Sequence, residues 1–281
     1  MCPISRVAAG FAWPRVKDRD LLLVFVLGLV IALCWGGSAI SSSSEFWAGV
    51  LKDRSGIGAA ELLAIVVLTW LVVRFRREDL LTPSDLVVIA VTSIAFAFPF
   101  RLAASLPLAA VGLKLIFHRD PRVSSVGQVL LALTVYEWLG PLVFHLTAPF
   151  VLKIEAMAVQ AALAPFGGFV RDGLTISNSG DNTVAIEQGC SAFHNLSLST
   201  LIWISLLKLD TLTVRAAHVW IAAAMAGATI VLNTARIALM AQSTAMYEFW
   251  HDGAGVPIVS FMMLSVILLI CLGGLRLADR R

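Results

Sequence analysis

This sequence predicts an all-α polytopic membrane protein of about eight transmembrane helices, with a small β-hairpin on the outer side ahead of the sixth. Composition is the first reason: 59% of the 281 residues are hydrophobic and 14% are charged, against about 45–50% and about 25% in soluble domains. Run length is the second, because apolar stretches able to cross about 30 Å of hydrocarbon at about 1.5 Å per residue recur along the chain. Charge placement is the third. With both termini inside, 15 of the 21 Lys and Arg residues fall in cytoplasmic loops or at inner span ends, as the positive-inside rule requires. The net charge of +3 belongs to that asymmetry and gives no reason to expect nucleic acid as a partner.

Spans are expected at Leu21–Ala39, Ala59–Val73, Leu86–Phe98, Leu102–Phe117, Val126–Leu146, Ser191–Leu207, Val214–Met240 and Val256–Leu275. The third and fourth are short and joined by Pro99, Phe100 and Arg101, which suits a tight helical hairpin. No removable signal peptide is expected, since a basic arm precedes the first run and no small-residue cleavage site follows it. The whole chain, 1–281, reads as one integral membrane domain, a four-span part over 1–125 followed by a four-span part over 126–281. The longest outer segment, 147–189, divides in two. "TAPFVLKIEAMAVQAALAPF" is apolar with sparse Lys153, Glu155 and Gln160, a helix lying in the interface or packed back on the bundle. "FVRDGLTISNSGDNTVAIEQ" has two β-branched runs about a Ser/Asn/Gly/Asp turn, a hairpin that delivers the chain to Cys190. The run Ser41–Ser44 reads as a loop.

The four cysteines, Cys2, Cys34, Cys190 and Cys271, follow neither a C-x-x-C spacing nor a secreted disulfide pattern. Cys190 stands out by position, at the outer end of the sixth span, where a helix N-terminus and a guanidinium would favour a thiolate. Arg236, in "IVLNTARIALMA", is an arginine in an apolar context near the outer end of the seventh span, and such a residue faces a polar cavity or a partner. Asn233 lies one turn earlier and is positioned to orient that guanidinium or a substrate backbone. His251 opens "HDGAGVPIVSFMML", where Gly253, Gly255 and Pro257 turn the chain into the last span. A histidine is the natural proton carrier beside a thiol at neutral pH. Charge alone thus puts nucleophile, cation and base on one side of the membrane, the set that thiolate catalysis needs. Two supporting residues complete the expectation. Glu187 balances Arg236 or Arg171, and His194, four residues after Cys190, is a second candidate base.

These residues carry a resemblance. "EQGCSAFHNL", "NTARIALM" and "HDGAG", in that order at the ends of successive spans, resemble the Cys, Arg and His boxes of the exosortase/archaeosortase family of membrane-embedded transpeptidases. "LTAPFVLK", "FVRDGLTI" and "TVAIEQGC" resemble that family's approach to its cysteine, so the likeness covers about Thr147–Phe261. The first four spans share only hydropathy. The cysteine box departs from the usual Cys-Ser-Gly followed by a basic residue, because Ala192, Phe193 and His194 follow Ser191 here. The resemblance implies a bacterial inner-membrane cysteine protease or transpeptidase with its site at the periplasmic face and no cofactor. Its partner would be the C-terminal sorting-signal helix of exported proteins, presented within membrane lipid. Cys190 would form a thioester, Arg236 would hold the thiolate and oxyanion, and His251 would act as acid and then base.

Three other readings compete. Glu137, in "TVYEWLGPL" within the fifth span, supports a proton-coupled transporter that also uses His218. Cys190, His194 and His251 could form an open zinc or redox site. The chain could also be a non-catalytic scaffold of a polysaccharide-export system.

Overall fold

The computed structural model describes residues 17–35, 59–74, 81–94, 101–179, 182–210 and 213–279, and of residues 34, 35, 101–105 and 279 only the backbone. Cys2, the Ser41–Ser44 loop, the Pro99–Phe100 turn and the far ends of the first and third expected spans lie outside the described residues. The fold is mostly helical. Helices α1 (Asp18–Trp35), α2 (Ala59–Val73), α3 (Pro83–Ser93), α4 (Arg101–Ile116) and α5 (Pro121–Thr134) make the N-terminal part. Their starts follow from local chemistry. Thr82 and Asp85 form a reciprocal capping box ahead of Pro83, with Thr82 N–H donating to the Asp85 carboxylate at 2.8 Å. Asp120 caps Arg122 N–H at 2.8 Å ahead of Pro121. Asp18, at the head of α1, accepts the Leu81 N–H at 2.6 Å and so ties α1 to the entrance of α3.

The second half begins inside a single helical run. Pro121–Phe166 is 46 residues of continuous helix, made of α5, a π-turn at Val135–Leu139 and α6 (Gly140–Leu163). Pro141 explains the π-turn: it has no N–H and its ring collides with the carbonyl four residues back, and widening the helix by one residue relieves both. The Gly140 N–H accordingly donates to Val135 O, five residues back. The expected break near Leu146 is therefore absent. The segment read as a helix lying in the interface or packed back on the bundle is the later part of the same rod, with Pro149 inside it.

After it come strands β1 (Phe169–Asp172), β2 (Thr175–Asn178) and β3 (Thr183–Ala185), then α7 (Phe193–Asp210), α8 (Ala216–Met240), the short α9 (Thr244–His251) and α10 (Gly255–Asp279). The expected hairpin is a three-stranded antiparallel meander in the order β1-β2-β3. The strand missed is β1, whose two-residue loop to β2 starts at Gly173 with φ 59°. That positive φ suits the first position of a two-residue hairpin loop, where glycine is the low-cost residue.

Among the described residues, three helices are long and apolar enough to cross a membrane: Pro121–Phe166, Ala216–Met240 and Gly255–Ala278. This corrects the expected eight. Helices α2, α3 and α4 have 15, 11 and 16 residues; at about 1.5 Å per residue even the longest covers only about 24 Å of a hydrocarbon layer near 30 Å. Helix α1 reaches 18 residues but opens on Asp18, Arg19 and Asp20. Outward-facing Trp220, Phe261 and Leu269, each more than 70% exposed, are the surface expected of segments bathed in lipid.

Two apolar cores result. The larger joins α1–α5 to α7, α8 and α10. The smaller lies under the sheet: Phe144, Ala148, Leu152, Ala156, Val159 and Leu163 form one stripe of α6 and meet Ile176, Val184, Ile186, Cys190, Ile237 and Met240. The three- and four-residue spacing of that stripe is one face of a helix.

Candidate active site

Cys190 sits in a 3-10 turn, Gln188–Cys190, three residues before α7 begins, and is 4% exposed. Its N–H donates to Glu187 O at 3.0 Å. Two neighbouring helices grip the turn. Asn233 of α8, itself 2% exposed, donates Nδ2–H to the Cys190 carbonyl at 2.8 Å. Glu155 of α6 accepts from Ser191 Oγ at 2.8 Å and from Ala192 N–H at 2.9 Å through one oxygen. Ser191 Oγ in turn caps Phe193 N–H at 3.2 Å, so the orphan donors at the head of α7 are satisfied.

Arg236 lies one turn after Asn233. Its Nε and Nη2 both donate to Trp250 O, at 3.0 and 2.9 Å. That carbonyl precedes His251, so the guanidinium ties α8 to the residue expected to be the base. The His251 ring stacks on Tyr247 with centroids 4.8 Å apart and planes at 12°. The Asp252 carboxylate is 3.0 Å from His251 Nδ1, yet Nδ1 makes no hydrogen bond. The distance is that of a hydrogen bond and the alignment is not. Gly255 closes the α9–α10 corner: a Cβ there would lie 2.6 Å from Phe249 O and 2.7 Å from the Trp250 ring.

The sheet supports the same end of the bundle. Asn182, 7% exposed, donates to Met240 O and Ala241 O, both at 3.1 Å. Asn178 donates to Gln242 O at 2.8 Å. The last carbonyls of α8, which a helix leaves unpaired, are thus capped by the β2–β3 turn. Arg171 of β1 donates to Gln160 of α6 at 2.8 Å and to Gly173 O.

Several expected roles change in this arrangement. Asn233 holds the cysteine backbone and does not orient the guanidinium. Glu187 is exposed and forms no ion pair with Arg171, whose donors are taken by Gln160 and Gly173. The His194 ring lies beside Tyr136, with ring centroids 5.8 Å apart. The thiol also differs from the expected resting thiolate. Burial pushes Cys190 above the ordinary cysteine range; a backbone hydrogen bond at Glu187 and the Arg236 charge pull it down, while the Glu187 and Glu155 charges push it up. Burial wins because Cys190 precedes the helix and Arg236 points its donors at Trp250.

Glu137 lies half-buried in the π-turn. His218, 2% exposed, accepts the Arg215 N–H at 3.0 Å at the opposite end of α8, about 27 Å from Arg236 at 1.5 Å per residue. Among the described residues no group of three His, Cys, Asp or Glu is gathered as a metal site.

Sequence reasoning missed Glu155 and Tyr247. A single carboxylate in an apolar helical stretch was the available signal for the first. For the second it was a tyrosine four residues before a histidine, on one helical face. Burial holds the Tyr247 phenol above its ordinary range, and the Asp252 and Glu187 charges, with a Cys190 thiolate when one forms, push it the same way.

No protein-family model, curated protein or solved structure matches the chain.

Proposed function

We propose that the protein is an exosortase-like cysteine protease or transpeptidase of a bacterial inner membrane, with both termini cytoplasmic and the Cys190 site at the periplasmic face. One observation carries the reading. The cysteine turn, Asn233 and Arg236 of α8 and the His251 corner are joined by short hydrogen bonds at one end of the bundle, although they come from separate segments. The substrate is the C-terminal sorting signal of an exported protein, whose helix approaches through lipid.

Chemistry follows from the roles available. His251 takes the Cys190 thiol proton, and the resulting Sγ thiolate attacks the scissile carbonyl carbon while the carbonyl electron pair moves to oxygen. Arg236 spends Nε and Nη2 on Trp250 O and keeps Nη1 hydrogens for that oxyanion. His251 gives a proton to the leaving amine as the C–N bond breaks, leaving a thioester on Cys190. An acceptor, water or an amine, then loses its proton to His251 and attacks the thioester; the C–S bond breaks and His251 returns that proton to the departing sulfur, restoring the thiol.

The test is a survey of protein C-termini in membranes of the source organism. Cells with the wild-type chain should hold exported proteins truncated just ahead of a C-terminal apolar helix, and these ends should disappear in Cys190→Ala and Arg236→Ala. Loss of phenotype in Glu137→Gln, with processing intact in Cys190→Ala, would favour the transporter instead.

A further inference from the structure

Glu155 is used above only as a cap, yet half of its carboxylate is unspent. Oε1 takes both hydrogen bonds from the turn; Oε2 is buried and makes none. A cap needs only the acceptor, which a neutral glutamine would also supply. A buried carboxylate oxygen with no donor loses its water without compensation, a cost that capping alone does not explain.

The charges around the thiol explain where the carboxylate acts. Cys190 is faced by Glu187 from its own turn, Glu155 from α6, Arg236 from α8 and Tyr247 from α9. Arg236 is the cation of this set and favours the thiolate; Glu155, fixed by the residues that follow the cysteine, opposes it, with burial the larger effect. The two helices therefore bring opposite charges to one sulfur.

We infer that Glu155 is a positioning residue of the Cys190 site: it fixes the turn that carries the thiol and sets a carboxylate against the Arg236 guanidinium beside the sulfur. This rests on the reading of Cys190 as nucleophile. Reactivity then awaits substrate, whose arrival changes the balance around the sulfur, and the idle thiol is protected from oxidants at an outer membrane face.

The experiment reads the thiol directly. Full-length protein in proteoliposomes is labelled with a membrane-impermeant maleimide across pH, and the Cys190 peptide is quantified by mass spectrometry so that other cysteines do not contribute. Glu155→Gln keeps an acceptor oxygen and removes the charge. Its labelling midpoint should fall by at least about half a pH unit, roughly threefold faster labelling at a fixed pH below the midpoint. Arg236→Ala should move the midpoint the other way. An unmoved midpoint in Glu155→Gln overturns the inference. So does a rate that rises equally at every pH, since that is a loosened cap and nothing more. Loss of the function proposed above registers elsewhere, as protein C-termini unchanged in Cys190→Ala, so the two failures are told apart.

Discussion

Removing the Asn233 amide should expose the cysteine in proportion to what one buried hydrogen bond holds. In Asn233→Ala the Cys190 carbonyl loses its 2.8 Å donor in a place where Asn233 itself is 2% exposed. A buried acceptor left without a partner costs about 1–3 kcal/mol. At about 1.4 kcal/mol per decade, the turn should open roughly five- to 150-fold more often. Because the thiol is only 4% exposed, an impermeant maleimide reaches it mainly through such openings, and its labelling rate should rise by the same factor. The assay is Cys190-specific labelling in proteoliposomes at fixed pH, with thermal unfolding followed in parallel. A labelling rate within twofold of wild type, in a variant that unfolds at the same temperature, would refute the idea that Asn233 holds the turn closed.

Further outcomes follow from the same geometry. Labelling of wild-type Cys190 should keep rising past about pH 8.5, the ordinary cysteine value; a midpoint below that value would contradict the dominance of burial. The linked stability effect has one sign. A thiol held neutral in the fold contributes fully below its unfolded value, and that contribution is lost as pH rises through the folded one, so urea midpoints of wild type should drop there relative to Cys190→Ala. Asn182→Ala removes the donor to Met240 O and Ala241 O. It should cost about 1–3 kcal/mol locally and raise amide exchange at the end of α8 and in β3 while leaving α2 and α5 unchanged. Gly255→Ala forces a Cβ to 2.6 Å from Phe249 O, so the α9–α10 corner must shift; C-terminal processing should fall at least tenfold with the protein still inserted.

How much of this was legible in the sequence depended on the range of the interaction. The helices of the second half were readable because apolar run length is a property of neighbours in sequence. The join at Leu146 was not, since Pro141 and Pro149 look like breaks unless the helix can widen, and the π-turn lets it. Helices α2–α4 read as spans by hydropathy but prove too short, because hydropathy does not count how many residues remain helical. At the site, charge and resemblance singled out Cys190, Arg236, His251 and Asn233 and offered Asn233 to the guanidinium or to a substrate backbone, whereas Asn233 and Arg236 each bond to a backbone carbonyl of the chain itself. Such carbonyls have no sequence signature. Glu155 was invisible as a partner for the same reason: its donors, Ser191 Oγ and Ala192 N–H, lie 36 and 37 residues away.

The two cores give the site a degree of mechanical independence. Cys190 belongs to the smaller core, beneath the sheet, and none of its members except residues of α6 and α8 belongs to an element long enough to cross a membrane. Phe193 of α7 and Tyr247 and Trp250 of α9 pack against its edge, and the closest ties around the cysteine are polar: Asn182 and Asn178 on the end of α8, Glu155 on the head of α7, Arg236 on the α9–α10 corner. Hydrogen bonds of this kind are worth about 0.5–1.5 kcal/mol net when each partner can find water instead, whereas the apolar stripe of α6 is buried along its whole length. The outer end can therefore loosen bond by bond while the bundle stays packed. The function proposed above, in which the site admits a bulky helix and then closes on its peptide bond, calls for that ordering of strengths, with weak polar clasps around the cysteine and a strong apolar floor beneath it.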